Sequence, residues 1–393
     1  MAGTGRVTGF LLRNALANAG GVIAFLPFLS LLLPIKVEAI AGEDRISVLT
    51  AAVIAGALAA SGSNILFGWL SDIAVARGSG RRSVMMLGLG FLVLAYLGVA
   101  LAASPLEIVL AVAFFEFAVN ALLAPMFAIM ADEIPDSHKR TAGGLLAVGY
   151  SLAATLSTLL IVYPLLEGTR LTIIVLGVAL CVGPLLASRA RPAPEAPAPA
   201  PPQVLRHDLV VAWSARLLVQ IAGAIMAVYL LYYFESVSPE TPTNAMAGMV
   251  APVLLLANLL PLVVAVPLGR WSDRIGRGKP VLLAAAGVAA LGLVGMALAQ
   301  DWTQGAVAFA IHSTGWSVFL ALHAGFAMQL LPDPRRRGRD LGLLNLTNTL
   351  PKLLGPALTW WLATPQNFDA ALLTAAAFTG LGGLTILAVR GRR

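Results

Sequence analysis

The chain has 393 residues, of which 59% are hydrophobic and 11% charged, against about 25% charged in an ordinary soluble domain. Water cannot be its main solvent, because apolar runs of about 20 residues, the length that crosses a bilayer, recur along it. The formal charge of +7 is accounted for by basic residues gathered in cytosolic loops and calls for no nucleic-acid partner.

Cutting the apolar runs at charged residues and at Pro or Gly predicts six spans at about 9–34, 47–71, 83–103, 107–131, 141–164 and 170–188. In the first, Ala17-Asn18-Ala19 has the small-residue look of a signal cleavage site, but Arg13 and Asn14 interrupt the stretch, so it is read as a retained span. Arg13 lies several residues inside that span, where a charge is costly unless it faces a cavity or snorkels to the headgroups. Asn14 and Asn18 share a face by their four-residue spacing; their amides suit either hydroxyl binding or helix stitching.

The fourth span carries Glu116, the one carboxylate deep within any span. A buried carboxyl is expected to load and release protons near neutral pH, which makes Glu116 the best proton-site candidate, while pairing with Arg13 would oppose that rise and leave a static ion pair. Asn120 lies one turn further along the same face. The sixth span holds Cys181, the single cysteine, which excludes an intramolecular disulfide and suggests no metal cluster.

A Pro/Ala tract follows, and residues 189–207 read as a linker between a first bundle, 1–188, and a second, 208–393. The second set of spans is predicted at about 208–234, 246–269, 280–300, 304–331, 341–362 and 368–389. The seventh span carries Arg216, Gln220 and the tyrosines Tyr229, Tyr232 and Tyr233; the tyrosines suit a solute path or an interfacial belt equally. The tenth carries His312 with Trp316 on the same face, and His323; each histidine is either a titrating group or a hydrogen-bonded packing residue. In the eleventh, Asn345, Asn348 and Lys352 form a polar stripe ending in a cation, with Pro351 expected to break the helix beside it.

Lys and Arg crowd the even-numbered loops, from Arg77, Arg81 and Arg82 to Arg335, Arg336, Arg337 and Arg339, whereas the odd-numbered loops hold only Lys36, Arg45 and Arg170. Both termini are therefore expected in the cytosol of a multi-pass inner-membrane protein.

The halves repeat. Gly68-Trp69-Leu70-Ser71-Asp72 ends the second span and Gly269-Arg270-Trp271-Ser272-Asp273 the eighth, an offset of 201; Arg13 and Arg216 are offset by 203, and Arg140 and Arg339 by 199. Three near-equal offsets describe parallel six-helix repeats, the plan of transporters that work about a midplane site. The pieces Gly68 to Asp72 followed by Arg81-Arg82, and Gly269 to Asp273 followed by Arg274, Gly276 and Arg277, resemble both copies of the loop signature of the major facilitator superfamily. The basic loop from Ser71 to Arg82 and the stretch Gly338 to Asn345 are further similar to sucrose-type and glycoside-pentoside-hexuronide symporters.

The resemblance implies an all-α membrane protein of twelve transmembrane helices in two bundles, and a gating role for Gly68, Asp72, Arg81, Arg82, Gly269, Asp273, Arg274 and Arg277. Each aspartate would accept bonds from guanidinium and from the N-terminus of the next helix. The absence of acidic residues from 47–71 argues against sodium coupling, and the missing Gly-Pro signature of the fifth span lowers a drug-proton antiporter. The expected activity is proton-coupled secondary transport of a small polar organic solute, sugar-like or anionic, by a monomer without cofactor or metal. The alternatives are a drug or metabolite exporter and a non-transporting assembly factor on the same fold. An enzyme is not expected, since no nucleophile-base set, metal spacing or phosphate loop is present.

Overall fold

The computed structural model describes residues 2–163, 165–189, 202–238, 240, 243–331, 333–364 and 367–390. α1 (Ala2–Pro27) passes through one π-helical turn, Phe28–Leu32, into α2 (Leu33–Ala41). Pro27 and Pro34 flank that turn; a proline removes a backbone donor and crowds the preceding turn, so the helix widens there rather than ending. α3 (Arg45–Ala76), α4 (Arg81–Leu101), α5 (Pro105–Glu133), α6 (Lys139–Val162) and α7 (Glu167–Leu186) complete the first half.

The second half comprises α8 (Pro202–Val237), α9 (Thr243–Ile275), α10 (Gly278–Ala297), α11 (Trp302–Met328), α12 (Arg337–Thr349), α13 (Pro351–Leu362) and α14 (Asp369–Thr385). With α1 and α2 joined through the π turn, and α12 and α13 parted only by Leu350, the described residues make twelve helical passages. Ten helices among the described residues are long and apolar enough to cross a membrane. The eleventh passage is two helices, as expected of Pro351, which cannot continue the hydrogen-bond ladder of α12. One detail differs from expectation. Residues 202–207, read as linker, are already helical in α8, while 190–201 lie outside the described residues.

The chain groups into two units. The first is Met1–Pro135, Val148–Glu195 and Asp333–Leu346; the second is Asp136–Ala147, Ala196–Pro332 and Thr347–Arg393. Each unit thus takes the start of one helix, α12 or α6, from the opposite half of the sequence.

In the first unit α5 packs against α3 and α4, and α1 against α7. Phe67, Ala121 and Ala124 form a core with Phe91 and Phe117, the rings of Phe67 and Phe117 meeting edge-on at 4.8 Å. Phe28 lies on Phe115 with ring centres 4.4 Å apart, and the Tyr96 hydroxyl donates to the Ala24 carbonyl, satisfying a buried phenol. In the second unit α10 packs against α11 and α14, and α8 against α14. Tyr233 is buried in this core and donates to the Met296 carbonyl at 2.9 Å, so it stitches α8 to α10, whereas Tyr232 is exposed.

Candidate functional site

α3 ends at Ala76, and the chain turns back through Gly78 and Gly80, whose φ of 81° and 74° favour glycine. That tight turn sets Arg81, the first residue of α4, beside the last turns of α3. Its guanidinium donates to the Asp72 carboxylate at 2.8 Å, to the Ser71 hydroxyl at 2.7 Å and to Asp132 at 2.6 Å. Asp132 accepts a second arginine, Arg337, at 3.0 Å. Alongside, Arg82 makes a bidentate pair with Glu133 at 2.5 and 3.0 Å.

Asp72 does more than pair with Arg81. Its two oxygens accept the backbone N–H groups of Gly338 and Arg339, each at 3.0 Å. The first N–H groups of a helix have no intrahelical partner and carry the positive end of its dipole, so a carboxylate there is a strong cap. α12 can come so close because the contact is glycine on glycine: a Cβ at Gly68 would fall on the Gly338 carbonyl, and one at Gly338 on that of Gly68. One turn along, Gly342 rests on the backbone of Asn64 and Ile65.

The second unit repeats the device at the end of α9. Asp273 accepts the backbone N–H of Thr141 at 2.8 Å and its hydroxyl at 2.7 Å, capping α6. Gly143 lies on the Ala321 carbonyl, Gly325 on that of Lys139, and Gly269 on that of Arg140. The charges are arranged differently. Arg140 stands 3.6 Å from Asp273, too far for a hydrogen bond, and donates instead to the Ser272 carbonyl at 3.1 Å and to Gln329 at 3.2 Å.

Two expectations are corrected here. Neither aspartate caps the helix that follows it; each caps a helix start from the opposite half of the sequence. Arg274 and Arg277 do not join Asp273: both are exposed, and their side chains make no hydrogen bond among the described residues. Arg140 takes the place they were expected to fill.

The polar groups within the spans separate into two kinds. Arg216 is half-buried on α8, donating to the Leu320 carbonyl at 3.1 Å and to Asn348 at 3.2 Å, and Gln220, one turn on, donates to the same Asn348 oxygen at 2.7 Å. An arginine, two amides and a carbonyl thus converge. Trp316 lies with its indole against Gly223, two turns from Arg216, and its N–H has no hydrogen-bond partner among the described residues.

The histidines turn elsewhere: His312 is buried against α10, bonded to the Ala289 carbonyl at 3.0 Å, and His323 is buried and bonded to the Ala212 carbonyl at 2.9 Å. Lys352 is exposed on α13, beyond the interruption at Leu350.

In the first unit Glu116 is half-buried, with its side chain beside Gly56 of α3. Arg13 is exposed and makes no ion pair among the described residues, so the Arg13–Glu116 pair does not form. Asn120 is buried, donates to the Glu116 carbonyl at 2.8 Å and accepts from Asn64 at 2.6 Å, joining α5 to α3. Asn14 donates to Phe10 of its own helix at 3.2 Å, and the Asn18 amide lies against Gly149 of α6.

The model of the Major Facilitator Superfamily matches residues 14–257 and again 241–393. The chain belongs to this superfamily. Among curated proteins no sequence relative matches it. Solved structures of the same fold do. FucP in the outward conformation is 14% identical with a TM-score of 0.76, covering 98% of this chain and 99% of its own. A bacterial homologue of the iron transporter ferroportin is also 14% identical, at 0.73 over 98% and 99%. The human organic anion transporter MFSD10 is 17% identical, at 0.66 over 97% and 99%.

Membership in the Major Facilitator Superfamily makes the chain a membrane transporter by family, not an enzyme. Sequence reasoning missed Asp132, Glu133, Arg337 and Gln329 around the caps, and Asn64 opposite Asn120. A signal existed for the first three: acidic residues at the end of the fourth span stand at the same membrane end as Arg81, Arg82 and Arg337. Asp208 was also missed; it is fully buried at the start of α8 and accepts the backbone N–H of Arg390 at 2.8 Å.

Proposed function

We propose that this superfamily member is a proton-coupled secondary transporter that carries a small polar organic solute across the inner membrane by alternating access. The observation that carries the reading is the convergence on Asn348 of Arg216 and Gln220, which lie in a stretch of α8 long and apolar enough to cross a membrane. A guanidinium kept at that depth needs a use that offsets its insertion cost, and its planar fork suits a carboxylate or phosphate. Organic anions are therefore the first solutes to try, with sugar-like molecules second.

Glu116 is assigned the coupling proton, and the capped starts of α6 and α12 the role of latches that hold one conformation and release in the other. Two bundles, a monomeric state and cytosolic termini complete the proposal.

The test is solute-driven proton flux in liposomes containing the purified chain, with organic acids and sugars screened against the parent, Glu116→Gln and Arg216→Lys. A solute that moves protons in the parent, is still bound but uncoupled in Glu116→Gln, and binds weakly to Arg216→Lys supports the reading. A solute carried equally by all three chains assigns both groups to packing, and no carried solute at all favours the assembly-factor alternative.

A further inference from the structure

On the outer side of the Asp72 cap lies a recess of roughly 380 Å³ that none of the roles above uses. One wall is apolar: Trp69, Ile73 and Ala76, at spacings of four and three, form one stripe of α3 near its end. Trp69 is 49% exposed there. The other wall is Arg335, Arg336 and Arg339, and Asp72 lies at the base.

The charges do not cancel. Asp72 is already engaged by Arg81 and by the two N–H groups of α12. Arg339 holds Asp340 at 2.6 Å, and Arg336 has only a loose exposed pair with Asp333 at 3.5 Å. The Arg335 guanidinium is exposed and has no hydrogen bond or ion pair among the described residues.

We propose that this recess binds the phosphate headgroup of an anionic membrane lipid, with Arg335 and Arg336 on the phosphate and the acyl chains along the Trp69–Ile73–Ala76 stripe. Guanidinium matches phosphate bidentately, tryptophan favours the headgroup level, and a basic pocket beside a membrane-crossing helix is the chemistry that selects an acidic headgroup. A soluble anion would use the arginines but leave the apolar wall exposed. A lipid uses both, and in doing so ties α3 to the segment that leads into α12.

The experiment is native mass spectrometry of the full chain in detergent, titrated with phosphatidylglycerol, phosphatidylcholine and inorganic phosphate. The variants are R335Q/R336Q, Trp69→Ala, and Arg206→Gln as an exposed arginine outside the recess. The expected result is tighter binding of phosphatidylglycerol than of phosphatidylcholine, lost by on the order of 20-fold in R335Q/R336Q, from about fivefold per arginine. Trp69→Ala should also weaken it, and Arg206→Gln should not. Equal binding of the two lipids, equal loss in Arg206→Gln, unchanged binding in both recess variants, or displacement by millimolar inorganic phosphate would each overturn the proposal.

Discussion

Asp72 and Gly338 stand 266 residues apart in sequence and are joined by a hydrogen bond of 3.0 Å from the Gly338 N–H to the Asp72 carboxylate. The same carboxylate takes Arg81 at 2.8 Å and Arg339 N–H at 3.0 Å, so one buried charge satisfies one cation and one helix start. Replacing it by asparagine keeps the size and one acceptor oxygen but removes the charge. Hydrogen bonds to charged groups contribute about 1.5–3 kcal/mol each, and Arg81 would be left without its carboxylate on that side. Asp72→Asn is expected to lower the thermal midpoint in detergent by several degrees and to reduce transport at least tenfold. Unchanged midpoint and transport would mean that Asp132 alone neutralises Arg81.

Glycine replacement separates close approach from helix propensity. Ala in place of Gly in a helix interior normally stabilises by about 0.5–1 kcal/mol. Gly62, with nothing near a new Cβ, should show that gain. Gly68, where a Cβ would meet backbone that cannot swing aside, should show the opposite sign, a loss of about 1–3 kcal/mol from overpacking. Thermal unfolding of Gly62→Ala and Gly68→Ala side by side decides the matter, and two shifts of the same sign would refute the contact.

The membrane-crossing helices were legible in the sequence because apolar length is a local property. The caps were legible only in part. That Asp72 and Asp273 end their helices could be read from the repeat, and the 199-residue offset of Arg140 and Arg339 marked the right segments. Which helix start each carboxylate holds was not, since that depends on how distant helices come together. Intramembrane polarity misled in a similar way: Arg13 and Arg216 occupy equivalent places in the repeat, yet Arg216 gathers partners and Arg13 is exposed. Equivalent depth along a helix does not fix which way a side chain faces, and the sequence of each neighbouring helix decides that.

The pair should therefore behave differently on substitution. Arg216→Gln removes the donor that holds the Leu320 carbonyl and Asn348, and is expected to raise the apparent KM for an anionic solute by ten-fold or more, from about 1.4 kcal/mol per factor of ten. Arg13→Gln should leave the thermal midpoint within error. Uptake kinetics and thermal unfolding on both variants check this, and matching phenotypes would restore the symmetrical reading.

Asn64 and Asn120 offer a double-mutant cycle. Hydrogen bonds between membrane helices measured this way average about 0.6 kcal/mol, and the bond here is 2.6 Å long and buried. The single Asn→Ala changes should each destabilise, and the double should cost less than their sum by about that amount. Strict additivity would show that each amide acts through another partner.

The glycine contacts at the helix starts also limit what this sequence can become. At most helix positions a neighbouring residue type of similar size is available, and drift can wander through it. At Gly68, Gly143, Gly325 and Gly338 every alternative adds at least one heavy atom where opposing backbone already stands, so the usable alphabet shrinks to a single letter. At Gly9, Gly62, Gly90 and Gly98, where no atom stands within 4 Å of a new Cβ, it widens again. A deep mutational scan of this chain should therefore show its sharpest intolerance at two clusters of glycines and not at its charged residues.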